Sequence, residues 1–147
     1  MSSSNSRVLI SDLCETLDSY MSKTQVEGVY QAYIIAASAH DGQYRQSGEA
    51  YVFHPISVAM ILAELKLDYY CIVAALLHDC IEDTSVTYEE IKYDFGHEIA
   101  HIVEGVSKLT GLEFHTNADK QAQNFRKLFL AMSNDMRVMV IKLADRL

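Results

Sequence analysis

The sequence predicts an all-α domain, and three observations carry that prediction. Helix breakers are scarce: the chain has one proline, Pro55, and six glycines, too few for the many tight turns of a β-sandwich. Apolar residues recur at three- and four-residue intervals, the spacing of a single helix face. Residues 69–80, YYCIVAALLHDC, are apolar on nearly every side until His78, a composition that belongs to a helix at the centre of a domain.

The elements follow in order. Residues 1–6 form a serine-rich tail expected to be disordered, and residues 7–147 are long enough to make one domain with its own core. Leu9, Leu13 and Leu17 mark a short amphipathic helix within Val8 to Tyr20. A second helix is expected from Gln25 to His40, with Val29, Ala32, Tyr33, Ala36 and Ala37 on one face. The stretch DGQYRQSGE at 41–49 is polar, carries two glycines and reads as the clearest loop. Pro55 fits the first turn of a third helix, where its missing N–H does no harm, and that helix continues through Val58, Ile61, Leu62 and Leu65. After the apolar helix, Thr87 and Glu90 have the spacing of a capping box and Gly96 ends the helix they open. A further helix is expected at 97–109, a polar loop at 110–119, and helices at 120–133 and 135–147. The last of these stops in mid-pattern without a cap, so the domain is expected to be truncated at its C-terminus, as the front of a longer protein.

Twelve basic against twenty acidic residues give a net charge of −8, the wrong sign for broad nucleic-acid binding. A small anionic substrate is compatible with it, because a metal and a few local cations override the global field. Cys14, Cys71 and Cys80 form no CxxC pair and read as free thiols in a reducing compartment. The N-terminus lacks the apolar core of a signal peptide and no apolar run reaches membrane-spanning length. A cytoplasmic protein with no membrane partner is expected.

The chemistry centres on His78-Asp79 at the end of the most apolar helix. Burying a carboxylate beside an imidazole is costly unless something compensates both groups, and a metal does. One borderline nitrogen and one hard oxygen suit Mn²⁺, Fe²⁺, Co²⁺ or Zn²⁺. His54, just before Pro55, and Asp145, in the apolar final helix, are the candidates to complete the set. Together the four residues offer two nitrogens and two oxygens from three helices, leaving positions open for water and substrate. Glu82 and Asp83 follow Asp79 at three and four residues, which places them on its face if the helix continues. A carboxylate there can accept a proton from water acidified by the ion. The plain alternatives are a solvated turn at Glu82-Asp83 and a surface pair at Asp145-Arg146. His40, His97, His101 and His115 read as ordinary hydrogen-bonded histidines rather than ligands.

Four motifs then carry a resemblance: AHDGQYRQSGEAYVFHP at 39–55, AALLHDCIEDT at 74–84, FGHEIAHIVEGVSKL at 95–109 and QNFRKLFLAMSNDMRVMVIKLADRL at 123–147. From about Tyr30 onward the chain resembles the N-terminal hydrolase domain of the long Rel/SpoT-type alarmone synthetase-hydrolases, within the HD-domain phosphohydrolases. The resemblance implies an HD-domain helical bundle with a bound Mn²⁺. It also implies the removal of the 3′-diphosphate from ppGpp or pppGpp, giving pyrophosphate and GDP or GTP in the stringent response. On it, His54, His78, Asp79 and Asp145 match the metal ligands, and Glu82 and Asp83 match the acidic pair that positions or deprotonates the attacking water. Arg45 matches the loop residue that packs on the guanine base, with Ser47 and Gly48 in the same loop motif. Lys142 and Arg146 lie near the metal aspartate, where phosphate charge would meet them. Two departures stand in the loop: Ala50 where the family commonly has proline, and Gln46 where some members have lysine. The family pattern also continues past ADRL with a His-Asn-Met-Arg stretch that helps form the nucleotide pocket. Some relatives have lost the His-Asp pair, whereas every metal and acidic position is intact here. Two other readings stay open: another nucleotide phosphohydrolase of the same superfamily, or a regulatory or interaction domain that is catalytically incomplete.

Overall fold

The computed structural model describes residues 8–108 and 136–146. Among them lie eight helices: α1 (Ile10–Asp18), α2 (Lys23–Ala39), α3 (Phe53–Glu64), α4 (Tyr69–Leu77), α5 (Cys80–Asp83), α6 (Tyr88–Phe95), α7 (His97–Lys108) and α8 (Met136–Arg146). The architecture is all-α; the one β feature among the described residues is an isolated bridge between Tyr44 and Ala50. The expected tail at 1–6, the loop at 110–119 with His115 and the helix at 120–133 lie outside the described residues.

Local signals set the starts of α2, α4 and α6. Thr87 accepts from the Glu90 N–H at 3.2 Å while the Thr87 N–H donates to Glu90 Oε1 at 3.0 Å, closing the capping box expected for α6. Gly96 ends that helix with φ at 98°, a conformation that costs a side-chain-bearing residue energy. Ser22 forms a second box with Gln25, so α2 starts at Lys23, two residues before the expected Gln25. Asp68 caps α4 by accepting from the Cys71 N–H at 2.9 Å. Pro55 stands at the third position of α3, within the first turn.

Packing then orders the helices around α4. Every residue from Cys71 to Leu77 is buried, and α4 contacts α2, α3, α7 and α8. Leu13 and Leu17 seat α1 against α2 and α3, while Ile99, Ile102, Val103 and Val106 seat α7 against α4 and α8. Each such aliphatic side chain contributes about 1.5–3 kcal/mol of burial. Two expected apolar positions are not core: Leu9 is the N-cap of α1 and Leu65 the C-cap of α3, and both are exposed because the chain leaves the helix there. Cys14, Cys71 and Cys80 are free thiols, two of them buried. No described helix is long and apolar enough to cross a membrane.

Candidate metal centre

Three parts of the bundle converge on one point. His54 sits in the first turn of α3, His78 and Asp79 occupy the junction between α4 and α5, and Asp145 lies near the end of α8. One ligand atom from each of the four lies within 4.8 Å of the others. The expected 69–80 helix is interrupted: α4 ends at Leu77, with His78 as its C-cap and Asp79 as the N-cap of α5. That break frees both side chains to turn toward α8.

The histidine tautomer tests whether a cation fits. His78 Nδ1 lies 2.6 Å from the Ala75 carbonyl, which can only accept, so Nδ1 carries a hydrogen and donates. The opposite nitrogen, Nε2, then faces Asp79 Oδ1 and Asp145 Oδ1, each at 3.3 Å. His54 Nε2 reaches the same Asp145 oxygen at 2.6 Å. A lone pair buried against two carboxylates is repelled unless a cation, either a proton or a metal, stands between them. The residues therefore fit a divalent ion, and two nitrogens with two oxygens suit Mn²⁺, Fe²⁺, Co²⁺ or Zn²⁺. The Ala75 carbonyl fixes the ring of this buried candidate ligand from behind, an arrangement common at metal-binding histidines.

The electrostatics agree. Burial disfavours charge on His78, yet the hydrogen bond to Asp145 and the charge of Asp79 raise its pKa overall. Burial acts to raise Asp145, but hydrogen bonds from His54 and His78 hold it well below the usual carboxylate range. Lys142 Nζ lies 3.4 Å from Asp145 Oδ2, with both side chains largely covered.

Residues 32–147 match the HD domain family. The chain belongs to that family. This HD domain is 51% identical over 138 residues to the bifunctional (p)ppGpp synthase/hydrolase SpoT of Escherichia coli K12, covering 94% of the chain and 20% of that protein. It is 48% identical over 136 residues to the GTP pyrophosphokinase of Myxococcus xanthus, covering 89% of the chain and 18% of that protein. The chain thus spans about a fifth of the length of these curated relatives. A solved structure described as a metazoan ortholog of SpoT that hydrolyzes ppGpp superposes with a TM-score of 0.63 at 29% identity, covering 86% of this chain and 67% of that one. The HD domain is accordingly homologous to the SpoT/Rel proteins.

The remaining expected site residues spread around the cluster. Glu82 and Asp83 are exposed on α5, and the Asp83 N–H donates to the Asp79 carbonyl at 2.9 Å, so the helical relation to Asp79 survives the break. Arg45 and Ser47 are exposed in the loop between α2 and α3, which Gly48 turns with φ at 90° and an N–H bond to the Arg45 carbonyl at 2.8 Å. The side chain of Arg146 lies outside the described residues. His97 and His101 lie one turn apart on α7, with tilted rings 6.0 Å apart, and do not enter the cluster.

Two residues beside the cluster, Tyr51 and Gln43, went unnoticed in the sequence, whereas His40 is the buried, hydrogen-bonded histidine that was expected. The Tyr51 hydroxyl lies 3.3 Å from Asp79 Oδ2 and 3.1 Å from Asp83 Oδ2. Burial first, then the charges of Asp79 and Asp83, push its pKa up, so it stays a donor. Its ring stacks on buried His40 with centroids 4.7 Å apart. Gln43 bonds His40 Nδ1 at 3.1 Å and donates to the Asp83 carbonyl at 2.9 Å. The only signal for them was position, inside the motif at 39–55.

Proposed function

We propose that this chain is a Mn²⁺-dependent hydrolase that removes the 3′-diphosphate of ppGpp or pppGpp, yielding pyrophosphate and GDP or GTP. The observation that carries the reading is the cluster of His54, His78, Asp79 and Asp145, whose ligand atoms lie within 4.8 Å of one another and could hold a divalent ion. The names of the E. coli relative and of the metazoan structure, each of which mentions ppGpp, support the choice of substrate. The proposed partner is a small nucleotide, not a nucleic acid or a membrane, and the proposed location is cytoplasmic.

The residue roles proposed here are those the resemblance implies. When bound, the ion supplies Lewis acidity toward the diphosphate and lowers the pKa of water. Asp83, with Glu82 beside it on α5, accepts the proton of the water that attacks the phosphorus attached to the 3′ oxygen. The bond from phosphorus to the 3′ oxygen breaks, and that oxygen takes up the proton that Asp83 removed from the water. The Arg45 guanidinium stacks on the guanine and Ser47 bonds within the same loop. Lys142 and Arg146 balance phosphate charge from the α8 side.

The test is pyrophosphate release from ppGpp by this chain, with Mn²⁺, with chelator, and with Asp79→Ala. Release that needs Mn²⁺ and vanishes in the variant is the expected result. Turnover that survives Asp79→Ala would sink the assignment, and release from deoxynucleoside triphosphates but not ppGpp would move the enzyme to another nucleotide. Metal binding without any turnover would favour an interaction domain.

A further inference from the structure

The Asp79 carboxylate is divided between two duties. Its Oδ1 faces His78 Nε2 at 3.3 Å, inside the ligand cluster, while its Oδ2 accepts from Tyr51 at 3.3 Å. A carboxylate turning freely about its last torsion can present either oxygen, or both, to a cation. A donor fixed on one oxygen removes that freedom and leaves the other as the single ligand atom. The same phenol reaches Asp83 Oδ2 at 3.1 Å, so its one proton is shared between a candidate ligand and a residue of the acidic pair.

The phenol is itself held. Its ring lies nearly parallel to His40, with an interplanar angle of 24°, and edge-on to His54 at 6.3 Å. The Tyr51 carbonyl accepts from the His54 N–H at 3.0 Å, which joins the loop to the first turn of α3. Gln43 then ties His40 to the backbone of Asp83. The hydroxyl therefore projects from a fixed ring, and the two carboxylates come to it.

We propose that Tyr51 is a positioning residue of the metal centre, which selects the Asp79 oxygen offered to the ion and sets the distance between Asp79 and Asp83. The second half of this statement rests on the proton-handling role proposed for Asp83; the first half stands on the ligand cluster alone. Outer partners of this kind are typically worth about 10- to 100-fold in metal affinity or activity.

Tyr51→Phe keeps the ring on His40 and deletes only the hydroxyl. Mn²⁺ affinity is read from the electron paramagnetic resonance signal of free Mn²⁺, the metal-free melting temperature from circular dichroism, and kcat and KM for ppGpp at saturating Mn²⁺. The expected result is affinity weaker by about 10-fold or more, a melting temperature little changed, and kcat lowered about 10-fold with KM unmoved. Affinity within about twofold of the parent overturns the proposal whatever the kinetics. A fall of more than about 5 °C in the metal-free melting temperature overturns it too, by showing a structural role. If the parent binds Mn²⁺ but releases no pyrophosphate, the substrate reading fails while the affinity comparison still decides the role of Tyr51. If the parent binds no Mn²⁺, both fall.

Discussion

His54 Nε2 and Asp145 Oδ1 lie 2.6 Å apart across ninety-one residues of chain. This contact joins the first turn of α3 to the last turn of α8, and the same oxygen also faces His78. A single carboxylate oxygen thus holds two imidazoles in register. Asp145→Asn keeps the shape and removes the charge. Its expected effects are a loss of Mn²⁺ affinity beyond the roughly 100-fold typical of an outer-shell partner, and a metal-free destabilisation of about 1–2 kcal/mol. Calorimetric titration and chemical denaturation measure the two separately. Unaltered Mn²⁺ affinity would remove Asp145 from the ligand set.

The same cluster sets a dependence on pH. The folded pKa of His78 is raised, so its stabilising contribution is full below the unfolded value of about 6.5 and is lost as pH climbs through the folded one. The folded pKa of Asp145 is depressed, so its contribution is present above about 3.9 and is lost as pH falls through the folded value. Together the two contributions make the metal-free protein most stable in mild acid: Asp145 limits it as pH falls and His78 as pH climbs through its raised pKa. Metal affinity runs the other way, because the ion competes with the proton for imidazole nitrogen. The rise in melting temperature produced by Mn²⁺ should therefore be larger near pH 8 than near pH 6. A rise that shrinks with pH would contradict ligation through the imidazoles.

Lys66 gives a prediction remote from the site. It adopts φ of 59° just past α3, where the Lys66 N–H bonds the Ala63 carbonyl at 2.9 Å and the Leu67 N–H bonds the Leu62 carbonyl at 3.1 Å. This is a Schellman closure with lysine in the left-handed position that usually takes glycine. The left-handed conformation costs an L-residue about 1–2 kcal/mol, partly offset in a glycine variant by greater unfolded-state entropy. Lys66→Gly should stabilise by about 0.5–1 kcal/mol, measured by urea denaturation, with metal binding unaltered.

Legibility in the sequence followed the range of the forces involved. The α6 cap was readable because Thr87 and Glu90 lie three residues apart, and α4 was readable because continuous apolarity admits only a central helix. Ser22 carried the same capping signature with Gln25 and was passed over. The break after Leu77 was not readable. No glycine or proline marks it, and His78 and Asp79 keep right-handed backbone angles, so tertiary packing rather than local preference divides α4 from α5. The four candidate ligands could be picked by residue type and helix position, and the fold brings them together. Tyr51 could not, because a tyrosine in a loop has no period, and its meaning appears only when the fold brings Asp79 and Asp83 to it.

Gly105 shows how the scaffold supports Asp145 from a distance. A Cβ built on it would come within 2.8 Å of Val138 Cγ2, so α7 and α8 touch at a contact that has no room for a methyl group. Val138 is buried and β-branched, and it cannot swing aside without moving α8, the helix that carries Asp145. Alanine is worth about 1 kcal/mol over glycine in a helix interior, but overpacking costs typically about 1–3 kcal/mol. Gly105→Ala should therefore lower stability by about 1 kcal/mol and weaken Mn²⁺ binding through displacement of α8. Adding Val138→Ala removes the colliding methyls and should restore the metal affinity, although it creates a small cavity of its own. A double-mutant cycle on Mn²⁺ affinity separates the two terms. Strictly additive losses would show that the contact does not transmit to Asp145.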